Sequence, residues 1–124
     1  MTIRARALRW LALAHRVRDG DIVTSRYYPA AESWTGRDAW WLQVPVHRVQ
    51  ALGGGAVHLV CEAAPGSPDF HYLRVPAAFF RDHLPELDVP GDGRMVSLFL
   101  SAEPATRFRD ERGAGNIDFA GFVR

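Results

Sequence analysis

The stretch Trp41-Leu42-Gln43-Val44-Pro45-Val46 is echoed further along the chain by Tyr72-Leu73-Arg74-Val75-Pro76-Ala77. Each is a short run of aromatic and aliphatic residues ending in proline, and each is followed by apolar residues at helical spacing: Val46, Val49 and Leu52 after the first, Phe79, Phe80 and Leu84 after the second. Proline at a helix start has its φ already set and lacks only an N–H that would go unpaired there. The pattern therefore predicts a strand that turns through proline into a short helix, twice. Gly53-Gly54-Gly55 ends the first helix and Leu84-Pro85 the second. A weaker third copy, Leu98-Phe99-Leu100-Ser101-Ala102-Glu103-Pro104, leads into a third helix over 105–112 that stops at Gly113. The repetition reads as a common junction used again, with an internal duplication as the alternative.

Outward from these junctions, strands fill the gaps. Val57, Leu59, Cys61 and Ala63 alternate with His58, Val60 and Glu62, the period of a strand with one buried face. The turn signal Ala64-Pro65-Gly66-Ser67-Pro68-Asp69 then lets 70–75 return as a hairpin. Asp21 to Tyr28 is β-branched and aromatic and stops at Pro29, so it reads as one strand. Met95 to Ser101 is the most apolar strand and is expected at the centre of the sheet, with Asn116 to Phe122 as an edge strand. Ile3, Ala7, Trp10, Leu11, Ala14 and Val17 share one arc at 100° per residue, which predicts an N-terminal amphipathic helix ended by Asp19-Gly20. The expected fold is α+β: a single domain over 1–124, with a mixed five- or six-stranded sheet, that helix, and short proline-initiated helices.

Composition narrows function more by exclusion than by assignment. The 124 residues are 48% hydrophobic and 23% charged with net charge +1, an ordinary globular balance and not the excess of a strongly basic nucleic-acid binder. All fifteen basic residues are arginine, so Schiff-base, Walker-type and nuclease lysines are absent. The lone Cys61 cannot form an internal bridge, and its predicted place on an apolar strand face makes it a small hydrophobe. The apolar run Trp10 to Ala14 is too short for a secretory signal and no stretch is long enough to span a bilayer, so the expected location is cytoplasmic, with the chain starting at Met1 and no membrane partner.

Binding residues are sought on the face that the alternation leaves polar. With Leu42, Val44, Leu59, Cys61, Leu73, Val75, Val96, Leu98 and Leu100 turned to the helices, Trp41, Gln43, His58, Glu62, Tyr72, Arg74, Ser97 and Phe99 face the other way. Aromatic rings on a sheet stack unpaired bases, and arginines neutralise phosphate. Helix residues Arg4, Arg9 and Arg16 belong to a stretch of five arginines and no acid over 1–18. The expected site is thus Arg4, Arg9, Arg16, Trp34, Trp41, Gln43, Tyr72 and Arg74, on a small non-enzymatic module for single-stranded nucleic acid or a modified base. Its competing reading is ordinary packing: a second face covered by the chain's ends, and a solvated arginine stripe. Tyr27, Tyr28, Trp34, Trp40 and Trp41 lie close enough in sequence to form an aromatic cage, with core packing the favoured outcome.

A protein-interaction subunit, or self-association through the same aromatics, is the alternative function. A metal-dependent hydrolase or nuclease comes third. Pro68-Asp69 with Asp110-Glu111-Arg112 imitates a nuclease signature but puts arginine where a deprotonatable lysine belongs, and Glu62, Asp69 and His71 are the one set of side chains that a hairpin could bring to a metal. Neither triglycine 53–55 nor Gly113-Ala114-Gly115 opens a helix after a strand in the phosphate-binding manner. No residue is assigned a catalytic role, and no cofactor is implied.

Overall fold

The computed structural model describes residues 1–19, 21–50 and 55–124. Among these, three α-helices accompany two three-stranded sheets rather than one mixed sheet of five or six strands. The division begins at Arg26. The stretch 21–28 is not one strand but two, β1 (Ile22–Ser25) and β2 (Tyr27–Tyr28). The bend between them is held by Ser25 Oγ donating to Arg26 O (2.7 Å) and by the Tyr27 N–H donating to Glu62 Oε1 (2.9 Å). β1 lies parallel to β4 (Ala56–Glu62), whereas β2 lies antiparallel to β3 (Ala39–Pro45). One sheet runs β1-β4-β5, with β5 spanning Phe70–Pro76 and paired antiparallel to β4 as the expected hairpin. The other runs β2-β3-β6, with β6 spanning Met95–Ser101.

All nine residues expected to face the helices, Leu42 to Leu100 in the alternation above, are buried, but in a core formed between the two sheets and not beneath helices on one sheet. Two of the proline junctions form as read: β3 ends at Pro45 and passes into α2 (Val46–Gln50), and Pro76 caps α3 (Ala77–His83). The helices seal one end of the inter-sheet core, burying Val49 and Phe80, and Arg81 Nη1 donates to Val49 O (2.9 Å). Leu52 and the stop at 53–54 lie outside the described residues, as does Gly20. The third junction yields only a single 3₁₀ turn, Pro104–Thr106. Residues 107–119 instead run along the outer edge of β6, because Asp110, buried and without solvent, binds the main chain there: Oδ1 accepts from the N–H groups of Phe99 (3.1 Å) and Arg112 (3.2 Å), and Oδ2 from Gly113 (3.0 Å). Gly113 permits this approach, since a Cβ there would sit 2.5 Å from Glu86 O. β6 is therefore last in its sheet rather than central, its outer groups taken by Asp88, Arg109 and Asp110. The expected strand over 116–122 is replaced by isolated bridges at Asp118 and Val123 and a 3₁₀ turn, Ala120–Phe122.

The N-terminal helix, α1 (Ile3–His15), is capped by Thr2, whose hydroxyl accepts from Ala5 N–H (3.1 Å). It stops earlier than Asp19, at Arg16 in the left-handed region (φ 57°), with Val17 N–H returned to Leu11 O (3.3 Å). Its apolar arc buries Ala7 and Leu11 against Ile22, Val60, Phe70 and Tyr72 on the outer face of the β1-β4-β5 sheet. One sheet thus has both faces covered, whereas the outer face of the other is exposed along β3 at Trp41 and Gln43 while Ser97, Phe99 and Ser101 of β6 are buried.

Candidate functional site: a groove along the open edge of β1

Because β1 pairs with β4 alone and β3 pairs with β2 only at its first two residues, the two strands run side by side without a ladder between them. They meet where Ser25 Oγ accepts the Trp41 N–H (2.9 Å). Beyond that contact a groove of about 470 Å³ lies between them, within the size range of small-molecule sites. Ile3 and Arg4 of α1 form one wall, Trp41, Gln43 and Pro45 the other, and Arg26 with Tyr28 and Arg48 with Asp21 also line it. The charged lining is Arg4, Arg26, Arg48 and Asp21; Arg48 pairs with Asp21, and Arg26 with Glu32 just outside the groove (3.6 Å). Each guanidinium is positioned: Arg4 Nη1 donates to Ile22 O (2.7 Å), Arg48 pairs with Asp21 (2.9 Å), and Arg26 lies 3.8 Å from the Tyr28 ring centre.

Trp41 belongs to the groove and also to an aromatic strip on the open face of its sheet. Its ring stacks on Phe99 (5.9 Å, 9°) and its indole N–H donates to Ser97 Oγ (3.1 Å). Trp34 packs on Phe99 from the loop before β3 (5.3 Å), with the Arg112 guanidinium 5.3 Å from the Trp34 ring. Trp34 is 65% exposed and Trp41 39%, so both present ring surface to solvent while Phe99 supports them from below.

The eight residues singled out by sequence do not form one surface. Arg4, Trp41 and Gln43 meet in the groove, and Trp34 extends it along the strip. Arg9 is exposed on α1 and Arg16 is exposed at its C-terminal cap. Tyr72 is buried beneath α1, because its strand belongs to the covered sheet, and Arg74 is exposed on that same strand. Nor do the five clustered aromatics make a cage: Trp40 is buried, donating its indole N–H to Glu62 O (2.7 Å), and Tyr27 sets its edge on Trp40. Arg26 and Arg48 were not found from sequence, and Tyr28 was singled out only as part of the aromatic cluster. What unites them is the approach of β1 to β3, a long-range event with no local signal.

Other polar groups are engaged in structure. Tyr27 donates to Asp38 Oδ2 (2.6 Å), and burial with that bond pushes its hydroxyl pKa up to about 12. Burial likewise raises the Cys61 thiol and keeps it protonated. Glu62 accepts from Arg6 Nη2 (3.1 Å) and from Tyr27 N–H, whereas His71 packs its ring against Trp40 and Phe108. The two groups point to different surroundings, and among the described residues no three His, Cys, Asp or Glu side chains are placed to hold a metal.

His58 links the covered sheet to the segment after α1. Its Nδ1 lies 2.7 Å from the Tyr72 hydroxyl and its Nε2 3.2 Å from Asp19 Oδ2. A neutral ring satisfies both by accepting from Tyr72 and donating to Asp19. Burial depresses its pKa below the usual 6.5, Asp19 opposing and Arg74 and Arg48 adding to the shift; His71 is depressed by burial and Arg107. Below about pH 6.5 the unfolded chain then takes up these protons before the folded one does, so stability falls as the pH drops. Thermal unfolding of the protein is expected to shift to lower temperature between pH 7 and 5, and His58→Gln to show a shallower dependence; a melting temperature that rises on acidification would contradict this account.

Among the described residues no helix is long and apolar enough to cross a membrane. No family model, curated protein or solved structure matches this chain.

Proposed function

We propose that the protein is a small, non-enzymatic binding module for single-stranded nucleic acid. The observation that carries this reading is the position of Trp41, which stands on the wall of a groove lined by Arg4, Arg26 and Arg48 and also begins the exposed strip toward Trp34. Phosphates fit the arginines, and unpaired bases fit the rings, in the combination that sequence-tolerant single-strand binders use. A duplex offers its bases only as edges in a groove and cannot stack on either tryptophan. Arg9 lines a separate surface with Met1, Trp10 and Leu13, so it does not add to the groove's charge.

Titration with short single-stranded and duplex oligonucleotides, followed by tryptophan fluorescence, tests the proposal. Single strands are expected to quench, duplexes to act weakly, and Trp41→Ala to reduce single-strand affinity roughly 5- to 150-fold, the worth of one base stack. Three phosphate contacts predict a log–log salt slope of about −2. No response to any oligonucleotide at low salt overturns the proposal. A protein partner is the second reading, favoured by Met1 and Leu13, which are exposed on and beside α1 next to Trp10 and Pro68. Association that is indifferent to salt would select it.

A further inference from the structure

We infer that the outer flank of α1 docks an acidic segment of a partner protein, which seats one large apolar side chain beside Trp10 and Leu13 and sets its carboxylates on Arg9 and Arg16. The hollow that takes the apolar side chain shares no residue with the groove along β1, so the inference goes beyond the nucleic-acid reading and does not rest on it.

α1 lays Ala7 and Leu11 on the β1-β4-β5 sheet and leaves Ala5, Arg9 and Leu13 exposed on its other side. Leu13, 73% exposed, borders a hollow of about 310 Å³ between the helix and the turn that follows β4, with Trp10 and Pro68 also in its lining. The walls are held in place from behind. Trp10 packs its ring against Phe70 (5.7 Å) and His15 (5.0 Å). Arg6 ties the helix to the turn, its Nη2 donating to Glu62 Oε2 (3.1 Å) and to Ser67 O (2.6 Å). A preset apolar hollow takes a projecting side chain at little ordering cost, which is how interface anchors are seated.

Charge gives the class of the partner. Residues 1–18 hold five arginines and no acid. Arg4 and Arg6 are engaged within the protein, whereas Arg9, Arg16 and Arg18 are exposed and have no ion-pair partner among the described residues. Arg9 stands one helical turn before Leu13 and Arg16, the C-cap, three residues after it, so cations flank the apolar contact along the helix. The facing turn, 64–69, carries one carboxylate, Asp69, and the balance of the flank stays positive. A second copy meeting this flank with its own α1 would set arginine against arginine. A lipid surface matches the charge but brings no projecting side chain for the hollow. An acidic segment built around one apolar anchor satisfies both features.

Anisotropy of dye-labelled peptides, at low and at moderate salt, tests this. The probes are a short peptide of glutamates and aspartates around one phenylalanine, the same peptide with alanine for the phenylalanine, and the same with glutamine and asparagine for its acids. The first is expected to bind best, and the alanine form to be weaker by roughly 10- to 100-fold, the worth of burying one large apolar side chain. Leu13→Asp should lose about 10-fold or more, and Arg9→Gln roughly 2- to 5-fold with a shallower salt dependence. Both positions are exposed, so unchanged melting of the two variants separates a lost contact from a lost fold. Equal affinity for the acidic and amide peptides, equal affinity of the natural protein and Leu13→Asp, or no binding of any peptide at low salt overturns the inference. Loss of peptide binding in Trp41→Ala overturns it as well, by moving the peptide to the groove. Phosphatidylcholine vesicles containing phosphatidylserine that bind the protein while no peptide does would give the flank to a lipid surface instead. Oligonucleotide binding measured on Leu13→Asp reports on the groove alone, so the two readings fail separately.

Discussion

Trp40→Ala is expected to cost about 3–5 kcal/mol of folding stability, the range for removing a large aromatic from a core. Trp40 is 1% exposed and reaches from β3 across to the other sheet, where its indole N–H donates to Glu62 O (2.7 Å). It stacks on Phe108 (5.1 Å, 11°) and receives the edges of Tyr27 and His71. The two sheets share no strand ladder, so contacts of this kind hold them in register. Alanine would leave a cavity and strip the Glu62 carbonyl of a donor as well. For a chain of this size the melting temperature should fall by about 10–20 °C. Trp34→Ala, at a largely exposed ring, should change stability by less than about 1 kcal/mol. Denaturant unfolding of the two variants side by side decides the matter: equal effects would mean that the sheets are held by something other than the Trp40 bridge.

Asp110→Ala is the second large effect, with about 3 kcal/mol or more lost. Three main-chain N–H groups, those of Phe99, Arg112 and Gly113, would lose their acceptor in a buried place, and each buried orphan donor costs about 1–3 kcal/mol. The segment 108–119 would then part from β6, taking with it Arg112, whose guanidinium ties the aromatic strip to Asp88. Hydrogen exchange should show lost protection at Phe99, Arg112 and Gly113 while the β4–β5 hairpin keeps its own. Unchanged protection at these amides would show that the carboxylate is dispensable. Asp110→Asn should fall between, keeping one acceptor oxygen and losing the other. Burial outweighs the three N–H bonds and raises the Asp110 carboxyl above 3.8, so the folded state holds this proton more tightly than the unfolded one. Acid therefore does not unfold the protein through Asp110, in contrast to His58.

Much of the element pattern was legible because it is local. Alternation over 41–46, 57–63 and 95–101 names the inward residues, and proline after a strand marks the turn into α2 and α3. The errors have local causes too. Residues 105–112 carry helix-compatible spacing, yet the buried Asp110 side chain binds main-chain N–H groups of Phe99 and Arg112 and holds the segment in turns and isolated bridges beside β6. In 21–28 nothing in the β-branched and aromatic composition signals a break at Arg26, because the bend is made by a hydroxyl and by Glu62, thirty-odd residues away in sequence. The candidate site divides in the same way. Trp41 and Gln43 were found by their parity on β3. Arg26 and Arg48 were not, and Tyr28 was noticed only for the aromatic cluster, since only the approach of β1 to β3 brings them to the same groove.

The sequence by itself determined which side of each strand is apolar, where two strands turn into helices, and that one cysteine and no lysine limit the chemistry. Those properties follow from parity, φ restriction and functional-group inventory, and each is settled within a few residues. Only the tertiary structure decided which polar face stays open. α1 needs an apolar surface for Ala7 and Leu11 and finds it over Ile22, Val60, Phe70 and Tyr72, so Tyr72 is lost to the core while Trp41, identical in parity but on the other sheet, remains at the surface. Burial of a helix is a choice among distant partners, made by the total area removed from water. No stretch of sequence around Tyr72 or Trp41 contains it.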